Sequence, residues 1–312
     1  MANARKAGIW AAVALFLITL GAGAFVVAWY LWPEGSGDSA STAGQNPAAG
    51  DNPAANQIQV GVYLSAFTAT GPHRSPRPYG YETQLRPVKF LRDPSIHLIP
   101  VIEPRTRGGA EMTKVLWQNF PGVRPIDASN VDELRKLDVL VATAAADVPF
   151  EVLNAIDESV RQGMGLVQRQ FGYLNPGYTP QVGELCGFPV GTFGWNPQPI
   201  DCEVVGNHPL LGDLSGQIGK MVSIMPNGTV GKLSGIPLIR VKDMKQIRLV
   251  AAYHPIGTGE YLYPLYISQL GRGKIVGIGF AQNAATPEIL ETAHHGKFYL
   301  HCVEWLAGRP LN

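Results

Sequence analysis

Metal binding and proton transfer need histidine, cysteine or carboxylate side chains brought close together, and few stretches of this sequence offer that. His294 and His295, with His301 and Glu304 beyond them, are the nearest approach to a metal set. Neighbouring histidines on a helix point about 100° apart, so these two share an ion only if the helix start bends. The expectation is polar residues at a helix entrance, with no metal and no cofactor. The three cysteines are Cys186, Cys202 and Cys302. In an oxidising compartment Cys186 and Cys202 can pair, closing a loop that contains Phe193, Gly194 and Trp195; the alternative is a set of buried free thiols. Gln168, Arg169 and Gln170 form a short polar run inside an apolar stretch. Such side chains can bind a polar ligand, but none of them attacks an acyl carbon.

Two segments have the composition of contact surfaces. Phe188–Pro199, reading FPVGTFGWNPQP, is aromatic, rich in Gly and Pro, and uncharged. It is expected to be a loop, either packed on its own sheet or offering Phe193 and Trp195 to a partner or a sugar ring. Thr68–Tyr81 follows the first strand candidate, at the edge where α/β folds take ligands. Its Arg74 and Arg77 either meet an anionic group or are simply solvated. Nucleic acid is not an expected partner. The chain carries 25 bases against 24 acids, a net +1, and has no basic run with which to neutralise phosphates.

Something must hold these segments in place, and the first thirty-odd residues suggest where. From Ala7 to Trp32 no residue is charged. About 20 apolar residues suffice for a helix to cross a bilayer. The run is longer than the apolar core of a cleaved signal peptide, and it ends in Trp29, Tyr30 and Trp32, aromatics suited to the membrane boundary, with Trp10 near its other end. Arg5 and Lys6 precede it, whereas Glu34 and Asp38 follow. The positive-inside rule then puts residues 1–6 in the cytoplasm and everything beyond Trp32 on the far side of the inner membrane. Cleavage as a signal is the competing reading. Small residues at Gly8, Ala12, Gly21, Ala24 and Ala28 either admit a second helix or reflect the ordinary composition of spans. Residues 33–57 are rich in Gly, Ser, Ala, Asn and Pro with almost no large apolar side chain, the composition of a flexible tether.

From residue 58 to 312 apolar runs alternate with helical patterns, which predicts one α/β domain with a mostly parallel sheet and flanking helices. Strands are expected at Ile58–Ala66, His97–Ile102 and Asp138–Thr143, and another from Gly165. A helix is expected to be capped by Asp147, to carry Pro149 in its first turn, and to run to Gln162, stopped by Gly163 and Gly165. Closely spaced strands at Ile236–Val241, Leu249–Tyr253, Leu262–Leu270 and Lys274–Phe280 predict an antiparallel extension. The last helix, about His295 to Ala307, has Phe298, Cys302, Trp305 and Leu306 on one face.

This order, with DVLVAT at Asp138–Thr143, QGMGLV at Gln162–Val167, GELCGF at Gly183–Phe188, NHPLLGDL at Asn207–Leu214 and GRGKIVGIGF at Gly271–Phe280, resembles the class I glutamine amidotransferase-like (flavodoxin-like) fold, and more narrowly its trehalose-utilisation, ThuA-like branch. The resemblance covers most of residues 58–312. It implies a nucleophile on a glycine-flanked strand–helix turn. The corresponding stretch, Gly165–Gly172, has no Cys, Ser or Thr. His254-Pro255 matches the His-Pro pair of the amidotransferases, but Ile256 stands where the orienting acid belongs. The histidines of the ThuA-like branch are replaced by Arg169 and Phe280. The expectation is therefore a non-catalytic accessory subunit, anchored beside the proteins of an integral membrane complex, respiratory or photosynthetic first. The alternative is a membrane-tethered ThuA-like protein that binds or acts on carbohydrate, with a small-molecule or sugar ligand.

Overall fold

A computed structural model describes residues 57–65, 81–106, 109–145, 148–172, 185, 194–195, 199–224, 235–242, 248–249, 263–279 and 295–311. The strands are β1 (Ile58–Leu64), β2 (Ile96–Ile102), β3 (Ile126–Asp127), β4 (Val139–Ala145), β5 (Gly165–Phe171), β6 (Gly194–Trp195), β7 (Ile200–Val204), β8 (Met221–Ile224), β9 (Ile236–Val241), β10 (Arg248–Leu249), β11 (Leu265–Leu270) and β12 (Gly273–Ile278). The helices are α1 (Tyr81–Leu85), α2 (Ala110–Asn119), α3 (Val131–Leu134), α4 (Phe150–Arg161) and α5 (His295–Leu306), with 3-10 turns at Arg86–Lys89, Pro104–Thr106 and Pro209–Leu214.

Among the described residues ten strands form one mixed sheet in the order β3-β2-β1-β4-β5-β12-β11-β9-β7-β8. From β3 to β12 every neighbour is parallel. From β12 to β8 every neighbour is antiparallel, the extension expected from Ile236–Val241, Leu262–Leu270 and Lys274–Phe280. Of the expected strand Leu249–Tyr253, Leu249 instead lies in β10, which pairs with β6 in a separate two-stranded sheet, and residues 250–253 lie outside the described residues. The parallel half buries apolar side chains on both of its faces, because both are covered. Val60, Val139, Val141 and Val167 face Phe298, Cys302 and Val303 of α5. Leu140, Ala142 and Leu166 face Val152, Leu153 and Ile156 of α4. Val62, Leu64 and Ile102 pack with Val88 and with Met112 of α2. The chain steps from β1 one way to β2 and the other way to β4, so the strand order reverses between β1 and β4. In open parallel sheets the crevice beyond the strand ends at such a reversal is where ligands bind.

Local chemistry sets the helix ends, with two departures from expectation. α4 starts after Pro149, which is its N-cap residue rather than part of its first turn, and no side chain caps it; Asp147 lies outside the described residues. Gly163, at φ +126°, ends the helical path where a side chain is disfavoured, but Gly165 opens β5 instead of closing the helix. The last helix runs as expected to Leu306, with Phe298 and Cys302 buried. Among the described residues no helix is long and apolar enough to cross a membrane; residues 7–32, with Trp10, Trp29, Tyr30 and Trp32, lie outside them.

Candidate functional site

The reversal between β1 and β4 gathers polar side chains that an apolar sheet has no packing use for. Tyr63 is the last-but-one residue of β1, and Glu103 follows the last residue of β2. The parallel register sets Tyr63 beside Val101 and Leu64 beside Ile102, which brings Glu103 to the end of β1. Both side chains are fully buried. Burying a carboxylate costs several kcal/mol unless it is paired and hydrogen-bonded. Glu103 has both: the Tyr63 hydroxyl donates to one carboxylate oxygen and the Arg105 Nε to the other. Arg105 sits on the short 3-10 turn just beyond, so Pro104 and that turn aim its guanidinium back at Glu103. The arginine side chain is 39% exposed, whereas the glutamate has no exposure at all. The Tyr63 ring is held edge-on to Phe171 of β5, centroids 5.4 Å apart.

A second clip closes the same edge. Gln84 of α1 is buried; its Oε1 accepts from the Ser65 backbone N–H at 3.0 Å, and its Nε2 donates to the Ser65 carbonyl and hydroxyl at 3.3 and 3.2 Å. The clip replaces the sheet partners that β1 loses where it ends. Tyr81, at the start of α1, is near enough to feel the cluster. Burial, then the Glu111 and Glu103 carboxylates, push its hydroxyl above the usual tyrosine range. The edge therefore offers charge and hydrogen bonding through Arg105. It does not offer Glu103 as a proton carrier, because no part of that carboxylate reaches solvent.

The residues singled out in the sequence are placed differently. Gln168, Arg169 and Gln170 lie within β5 and not on a strand–helix turn; the strand continues to Phe171, and the positive φ of a turn first occurs at Gly172, +67°. Gln168 and Arg169 are buried. Tyr266, Gly277 and Gln168 lie in one row across β11, β12 and β5. The Tyr266 ring crosses over Gly277, where an added Cβ would come within 2.0 Å of it, and its hydroxyl accepts from the Gln168 amide at 2.6 Å. Gln168 is thus tied into the sheet. Arg169 stands opposite Thr143 of β4.

Trp195 is not in a loop. It forms β6 with Gly194, pairing antiparallel with β10, Trp195 opposite Arg248. Arg74, Arg77, Phe193, Cys186, His254 and His294 lie outside the described residues. Cys202 and Cys302 are buried free thiols, whereas Cys186, the expected partner of Cys202, lies outside the described residues. Burial, with a smaller contribution from Asp201, pushes the Cys202 thiol up to about 12. Among the described residues no three potential metal ligands come together. Tyr63, Gln84, Glu103 and Arg105 went unnoticed in the sequence. The available signal was Glu103-Pro104-Arg105, two opposite charges directly after a buried strand.

No known family profile matches the chain, and no curated protein does. Solved structures do show likeness. A ThuA-like protein from Bacteroides uniformis ATCC 8492 is 12% identical over 83% of this chain and 95% of its own, with a TM-score of 0.46. The cytoplasmic protein STM3548 from Salmonella typhimurium is 14% identical over 63% and 83%, with a TM-score of 0.37. A beta-galactosidase from Rahnella sp. R3 is 13% identical over 81% of this chain but only 32% of its own, with a TM-score of 0.43. At such identities and scores these likenesses carry no argument about activity, ligand or partner.

Proposed function

We propose that the chain is a membrane-anchored accessory subunit whose extracytoplasmic α/β domain works by contact with other proteins of a membrane complex, respiratory or photosynthetic complexes being the first to examine. The observation that carries the reading is the state of β5. The stretch that the resemblance implies as the nucleophile turn, Gly165–Gly172, has no Cys, Ser or Thr, and its Gln168 and Arg169 are buried in a strand, with the Gln168 amide bound to Tyr266. A fold is no guide to activity, so the weight rests on these residues. The uncharged run Ala7–Trp32 supplies the anchor in this reading, and a tether of about 25 residues keeps the domain at high local concentration beside its neighbours. Weak contacts then suffice, and Phe193 with Trp195 are the proposed anchors.

The test is a double substitution, Phe193→Ala with Trp195→Ala, in the full chain expressed in its native membrane. The protein should stay embedded and folded while the co-purifying proteins fall away under mild detergent. Undiminished co-purification of the double variant would remove this segment from the contact surface. Loss of the partners only when residues 7–32 are deleted would leave the helix as the attachment.

A second reading keeps the ThuA-like resemblance and is favoured by Arg105, half-exposed above a buried carboxylate at the strand-order reversal. It makes the domain a carbohydrate binder. Saturable binding of a disaccharide such as trehalose, lost on Arg105→Ala, would replace the contact reading with this one.

A further inference from the structure

The 3-10 turn after α1 carries a pattern that the reading above does not use. In Leu85–Arg92, LRPVKFLR, the bases recur at every third position, Arg86, Lys89 and Arg92, and apolar residues at Leu85, Val88 and Leu91. A 3-10 helix has three residues per turn, so side chains three apart eclipse one another on the same face. The Arg86–Lys89 turn therefore stacks its bases on one side and buries Val88 on another. The stacked side borders a groove of about 460 Å³ between this turn and the end of α2, lined by Leu85, Arg86, Val88, Lys89, Arg92 and Asn119. Three of these six carry positive charge and no carboxylate is among them. Lys89 and Arg92 are exposed. Among the described residues neither makes an ion pair.

Lys89 Nζ lies 5.9 Å from the Phe90 ring centroid, and like charges held on one face repel. A bound anion removes the repulsion and gains charge-assisted hydrogen bonds. The volume lies within the range of small-molecule sites. Leu85 and Val88 provide apolar wall, and Asn119, whose Nδ2 donates to the Val115 carbonyl at 3.0 Å, closes the end of the groove on α2. A carboxylate is matched by one base; a phosphate, with up to two charges and three or more acceptor oxygens, matches a row of them.

We infer that this groove binds a phosphate group, presented by a soluble phosphorylated molecule or by a phospholipid headgroup. The site is separate from the Glu103–Arg105 edge and does not depend on the accessory-subunit reading. The test follows the acylation rate of the Lys89 amine, by mass spectrometry, in the purified full chain. One arm adds inorganic phosphate to the protein in a neutral detergent, at ionic strength held constant with chloride. The other compares lipid nanodiscs of pure phosphatidylcholine with discs containing ~30% phosphatidylglycerol. At phosphate about four times its Kd the Lys89 rate should fall about fivefold. The exposed Lys220 should be unaffected. Arg92→Gln should abolish most of the protection while leaving the thermal transition unchanged.

Protection by inorganic phosphate establishes a soluble ligand site, and protection in the anionic discs alone assigns the site to a lipid headgroup. Equal rates for Lys89 in every arm overturn the inference. So does protection that Lys220 shares, because that is screening and not a site.

Discussion

At the scale of single residues, the side chains that explain most are those whose chemistry is committed inside the fold. His208 is one. Its Nδ1 accepts from the Leu210 N–H at 3.2 Å, capping the 3-10 turn, and its ring stands edge-on to Trp305 at 4.7 Å. Burial, and then the charge of Lys274, whose Nζ lies 4.7 Å from the same indole, lower the imidazole from 6.5 to about 4. A folded pKa below the unfolded one means that the unfolded chain takes up the proton first as pH falls. The contribution is thus complete above pH 6.5, drains away between 6.5 and about 4, and is constant below that. Partial exposure reduces the effect to about 1–2 kcal/mol. His208→Asn keeps a capping acceptor without a titrating proton, so its denaturant midpoint should vary less over this window than that of the wild type. Equal slopes would mean that other groups carry the pH dependence.

The row from Tyr266 to Gln168 is another such commitment. Gly277→Ala should cost about 1–3 kcal/mol, because the new methyl falls on the tyrosine ring. Tyr266→Phe removes the 2.6 Å bond to a buried amide, at a cost of about 1–3 kcal/mol. The two effects belong to one contact, so in a double-mutant cycle they should be non-additive. Additive costs would mean that the added methyl leaves the bond between Tyr266 and Gln168 intact. None of this was legible in the sequence. A tyrosine and a glycine in strands, and a glutamine about a hundred residues away, become one contact only when the register is known.

At the scale of elements, periodicity and caps carried well. The buried strands β1, β2, β4 and β5 and the amphipathic helices α4 and α5 were expected near their observed limits, since each is bounded by turn chemistry and covered by apolar neighbours, whereas β3, two residues long and half-buried, leaves no periodicity to read. Asn130 shows the local rule at work: its Oδ1 accepts from the Asp132 and Glu133 N–H groups at 3.0 and 3.2 Å, starting α3. Asn130→Ala should cost about 1 kcal/mol, and Asn130→Asp should restore most of it. Equal loss in both variants would place the cost elsewhere than the cap. What misled was the second half of β5. Polar residues at 168–170 read as a turn, but strand pairing to β4 and β12 pulls them into the sheet, where a long-range partner accepts from the Gln168 amide nitrogen. Trp195 was read as a loop residue for the same reason: its partner Arg248 lies in a distant segment, and a two-residue strand leaves no periodicity.

At the scale of the whole molecule, the alternation of strands and helices was enough to anticipate a parallel sheet with an antiparallel extension, but not the site at its edge. Glu103 and Arg105 meet Tyr63 only because β2 lies beside β1, and strand order is not written in any one segment. The membrane anchor, the tether and the contact surface proposed above rest on composition and charge. They make the central claim that the chain lives in a larger assembly. The measurement that tests it most directly is the mass of the particle released from native membranes by mild detergent at endogenous expression, with its protein content identified. The account predicts one discrete species well above the 33.6 kDa of the chain, with other membrane proteins in fixed stoichiometry. A particle containing this chain alone, across several mild detergents, would contradict it.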